Sequence, residues 1–217
     1  VAMKGKRSYH HGNLAESLLD AVDDLATAFG LEAVSLRACA KRVGVSPSSA
    51  FRHYTDKRAL MTAFATRALS QLCDTLAEAE ARSLVERAER AEAQGPLDVE
   101  PAFLAVGLAY IGFALDKPAF FRAMWREETI YSNDEAYVLA AARLSQHLQG
   151  GFVQTIADVD PTGFSPEELL VWSSVHGLAN LFVDGPVARG ESREDKLAMA
   201  RDMLVAAMPA LSRPACP

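Results

Sequence analysis

Cysteine is scarce in this 217-residue chain, and its three copies, Cys39, Cys73 and Cys216, lie far apart. That spacing supplies neither a disulfide framework nor a metal-ligand set. A reduced, cytoplasmic protein without metal or cofactor is therefore expected. No uninterrupted apolar run approaches the roughly 20 residues that span a bilayer. No charged-then-apolar leader opens the chain, so a membrane or secreted role is not expected. Sustained period-two alternation is missing, which argues against sheet. No glycine-rich phosphate loop and no nucleophile–base constellation is visible, so an enzyme is not expected. His10 and His11 have no acid or cysteine at ligand spacing and do not read as a metal site.

What the chain does have is apolar content and an uneven charge. Half of its residues are hydrophobic, enough for one large or two small cores. The net charge of −6 hides two halves. Residues 1–67 carry ten Lys/Arg against six Asp/Glu; the remainder carries twelve against twenty-two. A basic head on an acidic body suits a protein whose head alone meets a polyanion. The alternating acids and bases of Glu78–Glu92 read as a solvated helix face.

Apolar residues recur at three- and four-residue steps, the period of helix. Leu14, Leu18, Val22, Leu25 and Phe29 make one stripe, opened by Asn13 with Glu16 as a capping box and stopped by Gly30. Ser35 caps a second helix over 36–43, closed by Gly44. Ser46-Pro47 opens a third that ends near His53-Tyr54. A long fourth helix starts near Asp56 and stops before Gly95-Pro96. Further helices are expected over about 100–116, 118–125, from Ser132 past Gly150, 166–184 and 192–208. The expected fold is all-α, with a three-helix helix-turn-helix domain over 1–57 and a helical bundle over 58–217.

Helices 36–43 and 47–54, joined by a glycine-containing turn, have helix-turn-helix dimensions. Leu36, Ala40, Val43 and Ala50 can bury against the first stripe, which leaves Ser46, Ser48, Ser49, Arg52 and His53 outward. Small hydrogen-bonding side chains beside a base suit a helix entering a major groove.

Three segments carry a family resemblance. They are Tyr9-His10-His11-Gly12-Asn13-Leu14, the run from Ser35 through Leu36-Arg37 and Val43-Gly44-Val45 to Ser46, and the run from Phe51-Arg52-His53-Tyr54 to Leu60. Over residues 9–68 the chain resembles the DNA-binding domain of the tetracycline-repressor (TetR) family. The resemblance implies a dimeric transcriptional regulator, most often a repressor on a palindromic double-stranded DNA operator. It places Ser46, Ser48, Ser49 and Arg52 on the recognition helix, with Ser35, His53 and Lys57 on backbone phosphate. The family usually has tyrosine where this chain has Phe51, and without the hydroxyl Phe51 is expected to pack rather than to make contact. Lys4, Lys6 and Arg7 read either as a basic arm along the DNA or as a tail.

Val171-Trp172-Ser173-Ser174-Val175-His176-Gly177-Leu178-Ala179-Asn180 resembles a Trp…His-Gly subgroup of the family's C-terminal domains. Trp172 and His176 share a helix face, and Gly177 is expected to permit close helix approach. They read as core, as pocket or as dimer seam. A small-molecule effector is implied, with Phe103, Tyr110, Phe113, Phe121, Met124, Trp125, Trp172 and His176 as candidate pocket walls. The last two helices carry wide apolar faces, Leu169, Trp172, Ala179 and Phe182 on one and Leu197, Ala200, Leu204 and Met208 on the other, suited to a homodimer. A constitutive or activating regulator without effector is the alternative.

Overall fold

The computed structural model describes residues 13–94, 102–150 and 166–211. The basic arm, the His10–His11 pair, Cys216 and the Ser165 cap lie outside the described residues, as do the side chains of Phe103 and Met208. Among the described residues there are nine α-helices and no strand: α1 Leu14–Phe29, α2 Leu36–Val43, α3 Pro47–His53, α4 Lys57–Gln94, α5 Ala102–Asp116, α6 Pro118–Met124, α7 Glu135–Gly150, α8 Pro166–Val183 and α9 Arg193–Leu211. No single described helix is long and apolar enough to cross a membrane. Among the described residues no group of three or more His, Cys, Asp or Glu could hold a metal ion.

The chain forms two compact units. The first holds the described residues up to Ala68 together with Ala119–Val138. Asn13 Oδ1 accepts from the Glu16 amide at 3.4 Å and starts α1. Leu18 and Val22 are fully buried, but Phe29 is 72% exposed. At 100° per residue Phe29 falls between Leu18 and Val22 around the helix. It is exposed because it is the last residue of α1, beyond the last buried position, Ala26. α1 packs against α2 and α3, and those two pack on each other.

Segment 119–138 was not expected in this unit. Phe120 meets Phe64 of α4 with ring centroids 4.6 Å apart. A 3-10 turn, Glu127–Thr129, follows α6. After it, Arg58 donates to the Ile130 carbonyl at 2.6 Å, the Tyr131 hydroxyl donates to Asp56 Oδ2 at 2.7 Å, and the Tyr131 amide donates to Thr62 Oγ1 at 2.8 Å. The Arg58 guanidinium lies over the Tyr131 ring. Asp56 also caps α4, accepting from the Ala59 amide at 2.8 Å. That bond, with the one from Tyr131, holds the Asp56 carboxyl below its ordinary value. α7 starts later than Ser132 suggests, because the turn bond from the Asp134 amide to the Tyr131 carbonyl makes Asp134 the cap; it accepts from Tyr137 at 3.0 Å.

The second unit holds the described residues of 69–118 and 139–217. Here α5 packs against α8 and α9, which also meet each other. Gly107 makes this possible. A Cβ there would stand 3.2 Å from Leu204 Cδ1 and 3.3 Å from Val175 Cγ2. Gly177, expected to do this, has nothing within 4 Å of the position a Cβ would take. Ala179, Phe182, Ala200 and Leu204 are buried within this unit. Of the expected faces Leu169 points outward, and with it the outward apolar side chains of α8 and α9 are Leu170, Leu181, Met199, Met203 and Val205.

Candidate nucleic-acid interface

The turn between α2 and α3 is fixed by its caps. Ser35 Oγ accepts from the Ala38 amide at 3.1 Å and starts α2. Gly44 ends it in the left-handed region, φ 82°, and the amides of Gly44 and Val45 both donate to the Ala40 carbonyl. This closure needs a residue that tolerates positive φ, which glycine does without strain. Ser46 Oγ accepts from the Ser49 amide at 3.2 Å, and Pro47 takes the first helical position. Leu36, Cys39, Ala40 and Ala50 bury the inner sides of the pair. Burial pushes the Cys39 thiol up to about 11, so at neutral pH it is a protonated packing group.

The expected contact residues do not stand equally. The Ser46 and Ser49 hydroxyls lie 2.9 Å apart and bond to each other, and Ser49 is half-buried. Ser35 is half-buried too, and its lone pair serves the cap. Ser48, Arg52 and His53 are exposed. So is Phe51, at 44%. It was expected to pack. It cannot, because Ala50 and the capping Tyr54, whose hydroxyl donates to the Ala15 carbonyl, hold the inner arc of this two-turn helix. Ser48, Phe51 and Arg52 are spaced by one and by three to four residues, so they form one outer face.

The positive charge of this unit is sorted in the same way. Arg42 is bound to Asp24 through Nε and Nη2, at 3.0 and 2.8 Å. Arg67 Nη1 lies 2.8 Å from Asp20, an ion pair rather than an aligned hydrogen bond. Arg37, Lys41 and Arg52 are exposed and form no ion pair among the described residues. Lys57, also exposed, rests its ammonium 3.5 Å from the Leu31 carbonyl, which leaves most of its donor capacity unused.

The expected effector-pocket residues are divided between the units. Phe121, Met124 and Trp125 belong to the first unit; the first two are buried and Trp125 is exposed. Tyr110, Trp172 and His176 meet in the second. His176 stacks on Trp172 with centroids 5.1 Å apart, and Tyr110 Oη is 2.9 Å from its Nδ1. The Asn180 amide nitrogen lies 2.8 Å from Nε2 and also donates to the His176 carbonyl. An amide donor on Nε2 requires a neutral ring whose proton sits on Nδ1 and points at the tyrosine oxygen. Burial likewise lowers the His176 pKa. Phe113 lines a cavity of the same unit.

Two short helices joined at a left-handed glycine, the second presenting a guanidinium on its free face, define a helix-turn-helix protein carried on a helical body. Residues 18–64 match the profile of bacterial regulatory proteins of the tetR family, and residues 103–207 match a tetracyclin repressor-like C-terminal domain. The chain belongs to the TetR family of DNA-binding transcriptional regulators, which are not enzymes. An HTH-type transcriptional regulator of Bacillus subtilis (strain 168), YobS, is 30% identical over 112 residues. That match spans about half of each protein, 52% of this chain and 51% of the relative. The same fold occurs in a solved structure from Rhodococcus sp. RHA1, of a protein with unknown function. Its TM-score is 0.66 at 22% identity, over 94% of this chain and 98% of that one. A TetR-family regulator from Streptomyces coelicolor shares it with a TM-score of 0.56 at 23% identity, over 91% and 99%.

Proposed function

We propose that the protein is a dimeric repressor that occupies a palindromic operator in the cytoplasm and leaves it when a small molecule binds. The observation that carries the reading is the outer face of α3, where Arg52 stands exposed beside Ser48 and Phe51 and forms no ion pair among the described residues. Arg52 donates to a guanine edge, Ser48 donates to a base or phosphate, and the Phe51 ring lies against a thymine methyl. Ser46 and Ser49 serve this face by holding the start of α3 rather than by reading bases. The hydroxyl hydrogen of Ser35, with His53 and Lys57, anchors phosphate.

Dimerisation through α8 and α9 is supported by their outward apolar side chains and by the open space at Gly177. A twofold dimer sets its recognition helices about one DNA turn, roughly 34 Å, apart. Release requires an effector with differential affinity for a form whose heads are mis-spaced. Gel shifts across a salt series, on a selected palindrome and on random DNA, test the reading. It expects the palindrome to be preferred by orders of magnitude. Equal affinity for both DNAs would make this an architectural binder. Intact operator binding with no response across an effector library would leave a constitutive regulator.

A further inference from the structure

The second unit contains a cavity of about 220 Å³ between α4, α5 and the start of α9. It is distinct from the Tyr110–Trp172–His176 cluster. Leu108 and Phe113 supply an apolar wall, while Arg82, Lys117, Arg193 and Asp116 carry the charges. Asp116 is already neutralised, because Arg193 grips it with Nε and Nη2 at 2.6 and 2.7 Å. Gly112 keeps that guanidinium against α5; a Cβ there would stand 3.2 Å from Arg193 Nη2. Arg82 is exposed and makes no hydrogen bond or ion pair among the described residues. Lys117 donates to the Gln71 side-chain oxygen and adds its formal charge to the lining. The lining is therefore net cationic in a half of the chain that is strongly acidic.

A cavity of 150 Å³ lined by apolar side chains accepts benzene. This one is somewhat larger, well short of drug-sized pockets, and adds cations to its apolar wall. We propose that it binds a small carboxylate of about single-ring size, its apolar body on Leu108 and Phe113 and its anionic end on Arg82 and Lys117. A guanidinium takes a carboxylate with two parallel hydrogen bonds, which favours Arg82 as the principal counter-ion. The site deepens the ligand-responsive part of the function proposed above, since Arg193 is the first residue of α9. An anion at that junction bears directly on one of the helices assigned to the dimer.

The experiment is titration calorimetry on the full, DNA-free protein with three probes of one shape: benzoate, benzamide and benzylamine. Saturable binding of benzoate with one site per chain is expected. Benzamide and benzylamine should bind at least about tenfold more weakly, as should benzoate to Arg82→Gln. A second variant, Leu108→Trp, fills the cavity without touching charge and should abolish benzoate binding while circular dichroism stays unchanged. No saturable binding of benzoate up to about 10 mM would overturn the proposal. So would equal affinity for benzamide, or undiminished binding by both variants. Because DNA is absent, failure here leaves the operator test standing, and failure of operator binding leaves this result readable.

Discussion

A guanidinium on the free face of a short helix can give two parallel hydrogen bonds to a guanine edge, whereas a serine hydroxyl gives one. Arg52 is therefore the side chain on which specificity should depend most. Arg52→Ala should cost about 1–3 kcal/mol of operator affinity and relax selection at one base pair of each half-site, measured by equilibrium binding to single-base operator variants. Lys57→Ala should weaken all DNAs alike and lower the salt slope by about one counterion. An unchanged slope would remove Lys57 from the phosphate anchors. The sequence made the segment legible but not the division of labour within it. A serine hydroxyl can serve a cap or a base equally well, and only the pairing of Ser46 with Ser49 separates the two uses. The apolar character of Phe51 argues for burial, while its position one residue beyond the buried Ala50 turns it outward.

Helix starts and stops were the most legible feature, because capping chemistry is local. Ser35, Ser46 and Ser192 each accept from the amide three residues on, as their sequence contexts suggest. Ser35→Ala should destabilise the first unit by about 1 kcal/mol in urea titrations. Gly44→Ala meets no steric neighbour but places an L side chain in the left-handed region, at a cost of about 1–2 kcal/mol. Contacts between distant segments were not legible. Nothing local in Ile130 or Tyr131 announces a bond to Arg58 or Asp56, and no periodicity encodes the placement of 119–138 with the head. The α5–α8 contact makes a pH prediction. Its His176 is held neutral, with a pKa below the ordinary 6.5. Its contribution is full above 6.5 and is lost as pH falls towards the lowered value, since only the unfolded chain then binds the proton. Thermal midpoints should drop on acidification from pH 7, and His176→Gln should flatten that drop.

At the scale of the whole molecule, the all-α class followed from the helical period, and the basic head followed from counting charges along the chain. Which apolar side chains of α8 and α9 point outward did not. α8 and α9 are apolar on more than one side, so the faces read from spacing divide: Ala179, Phe182, Ala200 and Leu204 are buried within the unit, while Leu169 is exposed. Leu181→Glu with Met203→Glu, on the outward sides, should convert a dimer to monomers in sedimentation while helicity is retained. A variant that stays dimeric would move the interface elsewhere. The central claim is sequence-specific operator binding by a twofold pair of α3 helices, and selection of bound sites from random double-stranded DNA tests it most directly. The account predicts enrichment of an inverted repeat whose half-sites are centred about one helical turn apart, or a multiple of it, and loss of that enrichment in Arg52→Ala. Recovery of unenriched sequence, or of the same repeat with Arg52 removed, would contradict it.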